Sequence, residues 1–193
     1  DIGANIGVFS LAMARKVGSD GCVKAIEPVA PNFELLIRNI EMNSRQSHVH
    51  ACKCAAGSSN RDAELSYNMD TRNWGAVSMN GAAGQVKEKV SVKTLDGLWQ
   101  KWGRPHIMTC KLDVEGWEYE VLKGASELLV EKPPGNWIVE FDPGHGEKTG
   151  FLWDELLGHG YRPYSVDMEL LKAPPLTPED VIFVGPGARK GAE

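Results

Sequence analysis

The chain has 193 residues, 42% of them hydrophobic, and a formal net charge of −5. That length supports one domain with a sizeable core, and the acidic balance gives no basic footprint for nucleic acid. The four cysteines (22, 52, 54 and 110) suit no disulfide framework, so reduced thiols and a cytoplasmic setting are the default. No apolar run approaches membrane-spanning length, so no membrane contact is expected.

Residues 1–7 read Asp-Ile-Gly-Ala-Asn-Ile-Gly and open an apolar-patterned segment, Val8 to Val17. A strand should precede a loop of this type and none does, so the chain reads as a fragment lacking its first strand and any upstream targeting segment. Gly3 and Gly7 allow backbone to approach a ligand closely. A helix following them points its first N–H groups and its positive end the same way. Asp1 adds a carboxylate. A ligand carrying both an ammonium and a carboxylate, such as S-adenosylmethionine, suits this mixture better than a pyrophosphate. The G-x-x-x-G spacing matches neither the dinucleotide fingerprint nor the phosphate loop, which disfavours a dinucleotide oxidoreductase. The plain alternative is an ordinary glycine-rich turn before an ordinary helix.

Phe9, Ala12, Met13 and Val17 give the first helix its apolar stripe, closed by Gly18 and Gly21. Cys22–Ile26 is a short buried strand ending at Glu27-Pro28. Glu27 stands twenty residues after Gly7, where one carboxylate can take two ribose hydroxyls; otherwise it is a strand-end Glu facing water. Pro31 starts a second helix with Phe33, Leu36, Ile37 and Ile40 on its apolar side. Residues 48–54 place His48, His50, Cys52 and Cys54 on one face of a strand. Alternate strand residues stand about 6.6–7 Å apart, so the four cannot converge on one ion. Small residues follow at Ala55-Ala56-Gly57, where an adenine ring fits flat against backbone.

Alternation predicts strands over 63–67 and 89–93, with a loop around Trp74 that covers a site or simply packs. Thr94-Leu95-Asp96 caps a short helix carrying Leu98, Trp99 and Trp102. A strand then runs to Asp113 and breaks at Gly116, and a helix bearing Trp117, Val121 and Leu122 follows. Asp113 and Glu115 thus sit at the carboxyl end of a strand, the ligand-binding edge of open α/β sheets. Residues 137–143 form another strand, with Glu140 near its carboxyl end and Gly144-His145-Gly146 beyond. Phe151, Leu152, Leu156 and Leu157 continue as a helix. Residues 161–166 and 181–184 close the chain as an antiparallel edge pair. The pattern is α/β: a sandwich around a mostly parallel sheet, with one domain over 1–185 and a flexible tail over 186–193.

Five stretches together resemble the FkbM family of S-adenosylmethionine-dependent methyltransferases: Asp1–Gly7, Glu27-Pro28, Thr94-Leu95-Asp96, the block from Lys111 to Ala125, and Ile138-Val139-Glu140. The resemblance spans residues 1 to 142, and the block from Asp113 to Ala125 is its most specific part. It implies a class I methyltransferase fold, a Rossmann-like three-layer sandwich, and methylation of a hydroxyl on a sugar or small natural product. It assigns the methionine part of the cofactor to Asp1, Gly3, Ala4, Asn5 and Gly7, and the ribose to Glu27 with Pro28 beside it. It places Ala55 and Ala56 along the adenine and Asp113 near the sulfonium. The proton acceptor for the hydroxyl is then Glu115, Glu140 or His145. No metal site is assigned; Asp113 with Glu140 is the pair that could instead hold a divalent ion to polarise the hydroxyl. A methyltransferase-like interaction domain without catalysis is the alternative function.

Overall fold

A computed structural model describes residues 1–67, 77–78 and 86–187. The loop expected around Trp74 and most of the expected tail lie outside them. The chain divides into two compact units, residues 1–93 and 94–193.

In the first unit, residues 1–3 run parallel to β1 (Val23–Ile26): the Ile26 N–H donates to the Asp1 carbonyl at 2.8 Å and the Gly3 N–H to the Ile26 carbonyl at 3.0 Å. The glycine loop leads into α1 (Val8–Ala14), which is shorter than the apolar pattern suggests because its last turn tightens into i→i+3 hydrogen bonds. The buried face of α1 carries Ser10 and Ala14, with Leu11 and Met13 alongside, whereas Phe9 and Ala12 face outward. The expected stripe is therefore rotated, and the cause is polar: the Ser10 hydroxyl donates to a buried carboxylate of Asp1 at 2.5 Å, which fixes the helix phase. α2 (Ala30–Met42) starts with Pro31 in its first turn and buries Leu36 and Ile40, leaving Ile37 on the flank. β2 (Val49–Cys52) pairs in parallel with β1 from Val23↔Val49 to Ile26↔Cys52. Ala4, Val23, Ala25, Leu36, Ile40 and Val49 form the core beneath this pair.

A second sheet follows, built from β3 (Ala55–Ala56), β4 (Arg61–Tyr67), β5 (Val77–Ser78) and β6 (Val86–Lys93) in the order β3-β6-β4-β5. Leu65, Val90 and Val92 point into its core with Val29 and Ala55. The opposite face is charged, and Lys87 meets Glu64 there at 2.7 Å.

The second unit opens with α3 (Leu95–Lys101), whose first turn is capped by the Thr94 hydroxyl accepting the Gly97 N–H at 3.1 Å. β7 (Thr109–Leu112) leads to α4 (Glu118–Lys123) and α5 (Ser126–Glu131), two short helices separated at Gly124-Ala125. Asp96 caps α5 from a distance in sequence, accepting the N–H groups of Glu127 and Leu128 at 3.0 and 2.9 Å. β8 (Asn136–Phe141), α6 (Glu147–Gly158), β9 (Arg162–Tyr164) and β10 (Glu179–Val184) complete a sheet in the order β7-β8-β10-β9. Trp137, Val139 and Phe141 alternate inward on β8. Phe141, Trp153 and Phe183 contact one another with ring centroids 5.5–5.8 Å apart, and such pairs contribute about 0.5–1.5 kcal/mol each beyond area burial.

The expectation of a mostly parallel sheet does not hold. Among the described residues the pairs β1–β2, β3–β6 and β7–β8 are parallel, while β4–β5, β4–β6, β8–β10 and β9–β10 are antiparallel. Parallel neighbours need a crossover helix, and no described helix lies between β4 and β6 or between β9 and β10. The closing pair is antiparallel as expected, with β9 at the edge.

Candidate functional site

Two groups of the expected residues take shape, one in each unit. In the first unit the glycine loop follows the residues that pair with Ile26, so it lies beside the carboxyl end of β1. Gly3, Asn5 and Gly7 all take left-handed backbone, with φ of 83°, 49° and 94°. A side chain at Gly7 would also bring its Cβ to 2.6 Å from Leu36 Cδ1. The loop is held from β1 by Glu27, which is 4% exposed. One carboxylate oxygen accepts the Asn5 N–H and the other the Val29 N–H, each at 2.9 Å. Burial pushes the Glu27 pKa up, and the negative charge of Glu88 adds to that. The N–H donors of Val29 and Asn5 and the Asn32 side chain pull the other way.

Glu27 is thus not the strand-end carboxylate facing water that one reading allowed. Asp1 is buried against Ser10, Ala4 is in the core, and Pro28 is half-buried between Glu27 and Val29. Ala55 and Ala56 are buried where β3 runs beside β6, and Ala55 packs in the cluster that contains Val29. The segment 48–54 departs from one continuous strand. β2 stops at Cys52, and the Cys54 N–H donates back to the Cys52 carbonyl at 3.1 Å, so the chain turns at Lys53. His50 remains exposed, and partial burial followed by the nearby Lys24 charge lowers its pKa.

In the second unit the strand tips of β7 and β8 carry an acidic cluster. The buried Lys111 ammonium donates to Asp113 at 2.5 Å. The turn after Asp113 has Glu115 and Gly116 both left-handed, with φ of 53° and 85°. Glu118, the first residue of α4 and 7% exposed, holds this turn by accepting the N–H groups of Val114 and Gly116 at 2.9 and 3.2 Å. Glu140 lies on the less buried side of β8 and hydrogen-bonds to Asp113. Desolvation first, then the charge and hydrogen bond of Asp113, push its pKa up to about 7, with Glu115 and Glu118 adding to the rise. The Glu115 pKa is raised by desolvation first, then by the charges of Asp113 and Glu118, and His145 opposes the rise.

The His145 ring rests on Gly116, where an added Cβ would come within 2.9 Å of it. Its Nε2 stands 3.8 Å from Asp142. A cleft beside this cluster is lined by Gly116, Glu118, Tyr119, Glu140, Asp142 and His145 among others. Glu140 and His145 therefore open onto one cleft with Asp113 and Glu115 close behind. Among the described residues no group of three or more His, Cys, Asp or Glu side chains has the geometry to hold a metal ion.

A family model described as the methyltransferase FkbM domain matches residues 1–163. The chain belongs to the FkbM methyltransferase domain family. It is 34% identical over 155 residues to methyltransferase sdnD of Sordaria araneosa, covering 66% of this chain and 60% of that protein. It is 28% identical over 145 residues to methyltransferase 1 of Beauveria bassiana (strain ARSEF 2860), covering 66% and 57%. The chain thus spans somewhat under two thirds of these relatives' length. The crystal structure of methyltransferase FkbM from Methylobacillus flagellatus KT matches in fold, with a TM-score of 0.61 and 20% identity over 95% of this chain and 42% of that one.

Sequence reasoning missed several residues of these sites. Glu118 reads as an ordinary acidic residue in a helix's first turn, and only its burial shows that it clamps the preceding turn. Ser10 is hidden in an apolar stretch. Lys111, inside a buried strand, carried a signal: a lone cation among apolar residues needs a carboxylate partner.

Proposed function

We propose that the chain binds S-adenosylmethionine through its first unit and methylates a hydroxyl on a sugar or small natural product, in a class I methyltransferase fold. The observation that carries the reading is the glycine loop of this FkbM-family chain, held in left-handed backbone by a buried carboxylate at the tip of the next strand.

The residues suit that cofactor. Glu27 accepts two backbone N–H groups and the Asn32 side chain, so its two oxygens keep one lone pair for a ribose hydroxyl. Asp1 supplies a negative group for the ammonium, and Ala55-Ala56 present small side chains for the adenine. Bound S-adenosylmethionine supplies an electrophilic methyl on its sulfonium. The protein's part is then alignment, worth about 7–11 kcal/mol in favourable cases, and acceptance of the hydroxyl proton, worth about 10²–10⁴-fold. Glu140, with its pKa raised to about 7, suits the second task, and Glu115 and His145 are the other candidates. Asp113, paired with Lys111 and hydrogen-bonded to Glu140, tunes the acceptor.

Calorimetry with S-adenosylmethionine and with NAD tests the cofactor, and mass spectrometry of a metabolite pool seeks the gain of one methylene. Binding of S-adenosylmethionine alone, together with such a product, supports the proposal. Binding of NAD, or of neither, overturns it, and cofactor binding with no product in any pool favours the interaction-domain reading. Turnover of an identified acceptor that survives Glu115→Gln and Glu140→Gln alike removes the carboxylate base.

A further inference from the structure

Cys52 and Cys54 are brought together by a turn that no glycine or proline marks. On a continuing strand their side chains would stand about 6.6–7 Å apart. Instead the Cys54 N–H folds back onto the Cys52 carbonyl at 3.1 Å, and the two Sγ atoms lie 3.4 Å apart. The turn is anchored at three points. The Cys52 carbonyl also receives the Glu27 N–H at 3.2 Å, the Lys53 ammonium pairs with Glu88 at 3.0 Å, and Ala55 enters β3 immediately afterwards. Such anchors hold the two sulfurs as neighbours without ordering cost at the moment of reaction. Cys52 is half-buried and Cys54 is 4% exposed, so a solute meets Cys52 first. Nothing in the proposed methyl transfer uses either thiol.

We propose that Cys52 and Cys54 form a dithiol that undergoes thiol–disulfide exchange with a small disulfide such as oxidised glutathione. The Cys52 thiolate attacks one sulfur of the small disulfide, whose S–S bond breaks and releases one glutathione thiolate. The Cys54 thiolate then attacks the Cys52 sulfur, forming the Cys52–Cys54 bond and releasing the second glutathione. Two cysteine thiols are oxidised, one small disulfide is reduced to two thiols, and the two cysteine protons pass to the two departing thiolates. The exchange reverses with excess reduced glutathione.

The test uses the whole chain, incubated in glutathione buffers of stepped oxidised-to-reduced ratio, quenched in acid and mapped by mass spectrometry after alkylation. The expected result is a product lighter by two hydrogens with the bond mapped to Cys52–Cys54, while Cys110 stays alkylatable after unfolding. Cys54→Ser should instead accumulate a glutathione adduct on Cys52, because the second attack is missing. A wild-type chain that collects only stable glutathione adducts, or whose bridge maps to another pair, overturns the proposal, as does a Cys54→Ser chain with no adduct at Cys52. The mapping on unsubstituted protein keeps the result readable even where a serine variant folds poorly.

Discussion

Glu27 Oε2 accepts the Asn5 N–H at 2.9 Å, so one side chain joins the tip of β1 to the left-handed centre of the glycine loop. Glu27→Gln keeps the size but offers only one acceptor oxygen to two backbone donors, with an amide NH2 left facing an N–H. The expected cost is about 1–3 kcal/mol, read as a lower urea midpoint at unchanged slope. Affinity for S-adenosylmethionine should fall together with it.

Glu140 makes the pH response of the second unit run in an unusual direction. Its folded pKa is pushed up to about 7 from a usual 4.5, so between those values the folded chain holds more protons than the unfolded one. Its contribution to stability is therefore greatest at the acidic end and declines as pH rises toward 7. Urea titrations across that window should show the decline, and Glu140→Gln should flatten it. As the proposed proton acceptor, Glu140 would have to lose its proton to act, so on that proposal the rate should rise through about pH 7 in wild type. Glu140→Gln should lose that limb along with about 10²–10⁴-fold in rate.

Gly116 stands where backbone and space both exclude a side chain, with φ of 85° and the His145 ring 2.9 Å from an added Cβ. Gly116→Ala should destabilise by about 1–2 kcal/mol from the left-handed backbone alone, plus whatever displacing the ring adds. His145→Ala in the same chain should recover only the second part. A thermal-melt double-mutant cycle measures the split.

Asp96 caps α5 across 31 and 32 residues of sequence, at Glu127 and Leu128. Asp96→Ala should cost about 1–2 kcal/mol while leaving α3 intact, because Thr94 caps that helix by itself. Hydrogen exchange at the Glu127 and Leu128 amides should rise well above that at Gly97.

The strands that carry the carboxylates were readable because they are short apolar runs ending in a charge: β1 before Glu27, β7 before Asp113 and β8 around Glu140. The helix caps at Thr94 and Pro31 were equally plain. The turn at Lys53 was not, because period-two alternation passes through residues 48–54 whether the chain extends or folds back, and Lys is no turn former. Phe9 misled for a related reason. Apolar spacing chose it for the core, but a hydrogen bond from Ser10 to a buried Asp1 set the rotation of the helix. The charged faces of β4 and β6 hid a separate sheet, since alternation reports that one side of a strand is wet and not which strand it joins.

β10 lies between β8 and β9, so the strand bearing Glu140 gains its second neighbour only from residues 179–184. During synthesis the ribosome must therefore release some forty further residues before the outer row of amides on β8 is satisfied. Until then Asn136–Phe141 is an open adhesive margin, the kind of edge on which nascent chains cluster and to which holding chaperones attach.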